Sequence, residues 1–305
     1  MTTFDDDHTT PAATPAGTPA PDAPILVTGA AGQLGVHVLD AAAARDVPAT
    51  GVTRAQLDIA DLDAVRELVA RVRPRAIINC AAYTNVDGAE TDRDTAFRVN
   101  ETGSRNVAIA ARESGAHLVA VSTDYVFPGT DSDGYAETDP TGPINVYGES
   151  KLAGELAIRE EMGGDDGACI ARTAWLFSRQ APNFVQTIAR AARERDALDV
   201  VDDQRGNPTW CGHLADALLT CALDRLTGTH HLVDLPAATW FQLAEAVVEE
   251  LGVDCTVRPT TSAAFERPAK RAPVSVLRST RPDTPDMGTW RFGVRESLRE
   301  LATAR

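Results

Sequence analysis

The run Ile25–Leu26–Val27 is apolar and passes without a break into Thr28–Gly29–Ala30–Ala31–Gly32–Gln33–Leu34–Gly35. A short strand ending on glycines spaced three apart, followed by a helical pattern (Val36, Leu39, Ala43, stopping near Pro48), constrains the fold more than any other stretch. An all-apolar strand needs cover on both faces, and crossover helices supply it. Further strand candidates lie at Ala76–Ala82, His117–Thr123, Ala168–Thr173 and Thr229–Val233. Helical patterns at Leu62–Val72, Asp94–Ser114 and Tyr147–Glu161 alternate with them. The alternation predicts an α/β fold: a Rossmann-type, doubly wound parallel sheet.

Beyond Thr173 the alternation loosens into a helix near Asn183–Arg195, a strand at Leu198–Val201, a helix over Trp240–Leu251 and a proline-rich end. This composition predicts a smaller C-terminal substrate-binding lobe over the sheet's carboxyl edge, where open α/β sheets bind ligands. The expected division has residues 24–174, with 208–236, as the nucleotide-binding domain. Residues 175–207 and 237–305 form the lobe. Residues 1–23, built of Thr, Ala, Pro and Asp without periodicity, read as a disordered acidic tail, with order starting at Ile25.

Forty-four Asp and Glu against 29 Lys and Arg leave a net charge of −15, which argues against nucleic acid or an anionic membrane as a partner. No apolar run approaches the ~18 residues of a membrane span. Lysine occurs only at Lys151 and Lys270. Such a balance resembles proteins of high-salt cytoplasms; a GC-rich genome favouring Arg codons is the alternative source. Five cysteines without C-x-x-C spacing, and six histidines without a ligand pattern, predict a reducing cytoplasm and no protein-built metal site.

Gly29-x-x-Gly32-x-x-Gly35, opening a helix after a strand, suits a pyrophosphate held by backbone N–H groups. A glycine-rich turn without a ligand is the alternative. The second strand ends at Val52–Thr53–Arg54, where an acid would select NADH and an arginine can pair with the 2′-phosphate of NADPH. Arg54 therefore tilts the expectation to NADPH, with NADH still open, unless it is one more surface arginine. Asp58–Ile59, after a short third strand, faces adenine or caps the helix starting near Asp61. Tyr147 and Lys151 are spaced i, i+4, one turn apart on one helix face. An ammonium there favours the phenolate of a group whose pKa is otherwise near 10. Thr123 or Ser122, at a strand's end, can donate to a substrate carbonyl. Asn100 is an unusual helix-interior residue unless its side chain has work to do, and it is expected at the cofactor site.

Together TGAAGQLG, LDIADLDAV, INCAAYTNVDGAE, STDYVFPG, NVYGESKLAGE, RTAWLF and VVDDQRGNPTW resemble the dTDP-4-dehydrorhamnose reductase family of extended short-chain dehydrogenases, from about Pro24 to Arg299. The resemblance implies that Gly32, Gln33 and Leu34 contact the pyrophosphate, with Asp58 and Ile59 at the adenine. Ala82, Tyr83 and Thr84 then line the cofactor, and Val86 approaches the sugar. Thr123 and Asp124 hold the hexose, Tyr147 is the general acid and Lys151 its partner. Trp175 contacts the substrate, or is a core indole. Gln204–Thr209 belongs to a substrate-side loop. Some relatives are magnesium-dependent, and no acidic cluster here places that ion. Two departures stand out: Ala272 and Val274 replace a Pro and an Asn of the family pattern, and Thr53 replaces an Asp.

The implied reaction is reduction of the C4 ketone of a dTDP-4-dehydro-6-deoxy sugar to dTDP-L-rhamnose, with a nucleotide sugar as the only partner beyond a possible homodimer. Alternatives are a dehydratase or epimerase, a reductase of another nucleotide-linked keto-sugar, and a non-catalytic subunit like the methionine adenosyltransferase β subunit. The dehydratase needs a second carboxylate after the Thr, where this chain has Asp124–Tyr125. The acid excess also makes a testable prediction. Raising NaCl from 0.1 to 1 M shrinks the Debye length from about 10 to about 3 Å, so Tm should rise by several degrees in a thermal scan.

Overall fold

The computed structural model describes residues 19–303; residues 1–18, most of the expected tail, and 304–305 lie outside it. Residues 19–22 form a turn whose Pro21 carbonyl accepts from Arg75 Nη1 at 2.6 Å, so the chain is fastened upstream of Ile25. The first half runs β1 (Ile25–Thr28), α1 (Gln33–Ala44), β2 (Ala49–Val52), α2 (Leu62–Val72), β3 (Ala76–Asn79), α3 (Val86–Ala89), α4 (Arg93–Phe97), α5 (Gly103–Ser114) and β4 (His117–Thr123). Next come α6 (Val146–Met162), β5 (Cys169–Thr173), β6 (Leu176–Phe177), α7 (Phe184–Glu194), β7 (Ala197–Val201), β8 (Arg205–Gly206) and β9 (Thr209–Trp210). The chain closes with α8 (Cys211–Leu223), β10 (Gly228–His231), β11 (Ala238–Thr239), α9 (Trp240–Leu251), β12 (Thr256–Thr260) and α10 (Trp290–Thr303). Among the described residues no helix is long and apolar enough to cross a membrane.

Six strands form one parallel sheet in the order β2-β1-β3-β4-β5-β10. Ile25, Leu26, Val27, Ile77 and Ile78 are all buried, as strands covered on both faces must be. On one face α1 and α8 pack through Val38, Ala42, Leu214 and Leu218. On the other, Val65, Leu68, Val107, Ala111 and Ile158 of α2, α5 and α6 fill a second core. A third core, around Ile188, Leu198, Leu243, Val247 and Val294, joins α7, α9 and α10 to the parallel pair β7–β12.

Three local expectations are corrected. The inward face of α1 is Gly35, Val38 and Ala42, with Ala43 exposed, because Gly35 must lie against the Gly29 carbonyl. No third strand precedes Asp58: Gln56 Oε1 accepts from both the N–H and the hydroxyl of Thr53, closing a turn that competes with a ladder. The helix expected over Asp94–Ser114 is interrupted by a π-helical turn at Arg98–Thr102, which aims the Asn100 side chain inward.

His117 and His231, at the ends of β4 and β10, are buried with no partner on Nε2. Burial pushes both imidazoles down to about 4. The unfolded chain, with histidines near 6.5, therefore binds more protons between pH 6.5 and 4. Stability should be full above pH 6.5 and fall by a few kcal/mol as pH drops towards 4, measured by urea denaturation. His117→Gln should flatten that slope.

Candidate active site

At the carboxyl end of the sheet, Thr28 Oγ1 donates to Asn79 Oδ1 at 2.6 Å, locking β1 to β3. Gly29 turns there with φ +66°, and a Cβ on it would stand 2.8 Å from the Ala81 nitrogen. Gly35 presses on the Gly29 carbonyl. Only glycine fits either place. Gly32 caps α1 without a side-chain hydrogen bond, leaving the first amides of the helix for an anion. This cradle fits a dinucleotide pyrophosphate.

The turn opens into a cavity of about 490 Å³. Gly29, Gly32, Gln33, Leu34 and Gly35 line one end, and Arg54, Asp58 and Ile59 another. Ala82, Tyr83, Thr84 and Val86 form a wall, facing Thr123, Asp124, Tyr147, Lys151 and Trp175. Asn100 is not among the lining residues. Its Oδ1 accepts from Tyr83 N at 2.8 Å, while Nδ2 donates to the Tyr83 carbonyl and to Ser150 Oγ. It therefore holds the wall from behind, through the Tyr83 backbone. Asp58 pairs with Arg98 and accepts from Ala60 N, and the cap of α2 is Asp61, accepting from Ala64 N at 3.1 Å.

Helix α6 carries Tyr147 and Lys151. Asn145 caps it, accepting from Gly148 N, and Glu90 Oε1 accepts from Val146 N. Lys151, 7% exposed, donates from Nζ to the Val121 carbonyl at 2.7 Å. Burial brings it down to about 8, against the opposing pull of Glu155. Burial pushes the Tyr147 phenol up, while a hydrogen bond with Thr123 opposes that rise. The Lys151 ammonium is thus engaged with a backbone carbonyl, and the buried Tyr147 phenol keeps its proton. Thr123 Oγ1 donates to Asp124 Oδ1 at 2.9 Å and accepts from Tyr125 N. Burial raises Asp124 to about 6.

A second cavity, of about 780 Å³, shares Tyr125 and Trp175 with the first. Trp175 is stacked on Trp240 with centroids 3.6 Å apart, and Trp240 Nε1 donates to Gln204 Oε1 at 3.2 Å. Trp175 adopts φ +47°, a strained conformation for a bulky side chain. The indole is a shared wall of both cavities and also packs, half-buried, against the cluster around Phe127 and Tyr135. Arg267, Lys270 and Arg271 supply cations to the second cavity. Ala272 lines it too, whereas Val274 lines neither. Among the described residues no group of His, Cys, Asp or Glu is arranged to hold a metal ion.

The family described as RmlD substrate binding domain matches residues 23–303 of this chain. The chain belongs to the RmlD family. It is 43% identical over 285 residues to a dTDP-4-dehydrorhamnose reductase of Streptomyces griseus, covering 92% of this chain and 90% of the relative. It is 40% identical to a probable dTDP-4,6-dihydroxy-2-methyloxan-3-one 4-ketoreductase of Streptomyces antibioticus, covering 92% and 96%. The crystal structure of a Bacillus anthracis dTDP-4-dehydrorhamnose reductase in complex with NADP superposes with a TM-score of 0.86 at 35% identity, covering 90% of this chain and 98% of that one.

In this RmlD-family chain the structure also brings in residues that sequence reasoning passed over. Glu155, 2% exposed, accepts from Ser122 Oγ at 2.5 Å and from Arg172 Nε and Nη2 at 2.9 and 2.8 Å. The series Tyr147, Lys151, Glu155 continues one helical face, a signal present in the sequence. Trp240 and Phe184 have no such signal, because only the lobe's fold brings Trp240 onto Trp175 and Phe184 onto Trp240. The Lys151 value sets a pH limb. Its ammonium is lost as pH rises through about 8, so kcat/KM of the free enzyme should decline above that pH. A profile flat to pH 10 would contradict the assignment.

Proposed function

We propose that the chain reduces the C4 ketone of dTDP-4-dehydro-6-deoxy-L-mannose (dTDP-4-dehydro-L-rhamnose) with NADPH, giving dTDP-L-rhamnose. The observation carrying this reading is the convergence of Thr123, Tyr147 and Lys151 on the wall of the first cavity, which shares Tyr125 and Trp175 with the second. The relatives' names supply the sugar. In this reading residues 24–174, with 208–236, hold the cofactor. Residues 175–207 and 237–305 hold the sugar nucleotide.

The glycine cradle and α1 N–H groups would hold the pyrophosphate, and Arg54 the 2′-phosphate. NADPH, when bound, supplies the hydride. The chain's own part is proton delivery and charge stabilisation. Tyr147, kept neutral by burial, donates its phenolic proton to the alkoxide oxygen at C4. Lys151, held on the Val121 carbonyl, offsets the charge of the phenolate left behind through space, as a buried ammonium one turn away can. The Thr123 hydroxyl turns from Asp124 to donate to the carbonyl oxygen. Arg267, Lys270 and Arg271 face the diphosphate, and Trp175 the hexose. We place the enzyme in a reducing cytoplasm, where its five free cysteines stay reduced.

A second reading, a reductase of another nucleotide-linked keto-sugar, is favoured by one observation: the second cavity carries Ala272, a departure from the family pattern. A regulatory subunit has no need of the Thr123–Tyr147–Lys151 arrangement. Tyr147→Phe should lower the rate of NADPH oxidation with enzymatically made dTDP-4-keto-L-rhamnose by about 10²- to 10⁴-fold, while NADPH affinity is retained. Full turnover by the variant would refute the mechanism. Faster turnover with a different keto-sugar would transfer the assignment to that substrate.

A further inference from the structure

The segment from Arg267 to Arg271 borders the second cavity, with Arg267, Lys270 and Arg271 lining it together with the buried Ala269. Arginine side chains on such a segment have many rotamers to lose on gripping an anion. Here they are already gathered. Asp87, in α3, pairs through Oδ1 with Arg271 Nη1 at 3.0 Å and through Oδ2 with Arg267 Nη1 at 3.3 Å. The same carboxylate accepts from the backbone N–H of Ala269 at 3.3 Å. Arg271 Nη1 also donates to the Ala269 carbonyl, and Asn145 Nδ2 donates to the Lys270 carbonyl at 2.9 Å.

Asp87 itself lines neither cavity. It follows Val86, which does line the first, so the carboxylate ties the basic segment to the element beside the hydride-transfer site. The guanidinium of Arg271 lies 5.9 Å from the centroid of the Tyr125 ring, which in turn meets Tyr147 edge-on at 5.5 Å. Setting Arg271 therefore sets where an anion sits relative to the proton donor.

We propose that Asp87 is a positioning residue for the substrate: it preorganises Arg267 and Arg271 as a clamp for the diphosphate of a nucleotide sugar. The choice of ligand rests on the reductase reading. The carboxylate orients the two forks, whose remaining donors are left for phosphate oxygens, and the Ala269 contact holds the backbone in register. A surface ion pair serving stability alone would affect all ligands alike, whereas a clamp affects only the ligand bearing the diphosphate.

The test is binding of dTDP, dTMP and NADPH to the full chain by calorimetry, with steady-state kinetics alongside, for wild type and Asp87→Asn. Asn retains an acceptor for Ala269 and removes the charge. The expected result is about tenfold weaker dTDP binding and a matching rise in KM for the nucleotide sugar, with dTMP affected less. The NADPH dissociation constant and kcat should stay within about twofold. Unchanged or tighter dTDP binding, or an equal loss of NADPH affinity, would overturn the proposal. Should Asp87→Asn lose its cooperative unfolding transition, Arg271→Lys tests the same pair from the other side. It keeps the charge and loses the fork, so dTDP must again weaken selectively, and unaffected binding overturns the clamp. A wild-type chain that binds dTDP but turns over no keto-sugar refutes the reductase and leaves the clamp standing. One that binds no dTDP refutes the clamp.

Discussion

The close approach of the Gly29 turn to the chain leaving β3 sets the distances on which the whole cleft is built. Thr28 and Asn79 share a buried hydrogen bond, Gly29 touches Ala81, and Gly35 packs on Gly29. A side chain larger than hydrogen at either glycine would push α1 away from the sheet. The wall Ala82–Thr84 would then no longer face the α1 amides across a ligand-sized gap. Asn100 secures the same wall from the opposite side by gripping both polar groups of the Tyr83 peptide. The π-helical turn makes that grip possible, and Gly154 of α6 packs against the Asn100 carbonyl.

Charge follows a similar logic of local order against the global field. A chain of net charge −15 that takes anionic ligands needs positive potential concentrated where they bind. Helix-terminal amides, Arg54 and the Arg267–Arg271 segment provide it around the cavities. Along α6 the buried ions come as a connected set: Lys151 near Glu155, and Glu155 on Arg172 and Ser122. A buried carboxylate so fully engaged holds its charge, with Arg172 keeping it below the ordinary range despite burial. The set joins α6 to β4 and β5, two strands whose ends border the cavity.

Much of this is legible in the sequence. Strand–helix alternation predicts the sheet because period and burial are local properties, and Leu62–Val72 and Trp240–Leu251 coincide with α2 and α9. The glycine spacing and the i, i+4 pair were readable for the same reason. The π-helical turn was not, because a one-residue insertion in helical hydrogen bonding leaves hydrophobic periodicity nearly intact. The third strand failed because Gln56 satisfies Thr53 with a side chain, which apolar patterning does not register. The Lys151–Val121 contact and the Trp175–Trp240 pair depend on long-range packing and have no local signature.

That tryptophan pair has a consequence of its own. Two indoles 3.6 Å apart and within 5° of parallel are electronically coupled chromophores. One of them forms part of the wall between the two cavities and is held in an unfavourable backbone conformation. Any ligand that parts or tilts the rings changes their coupling, so the near-ultraviolet spectrum of the protein reports occupancy of the cleft without a label.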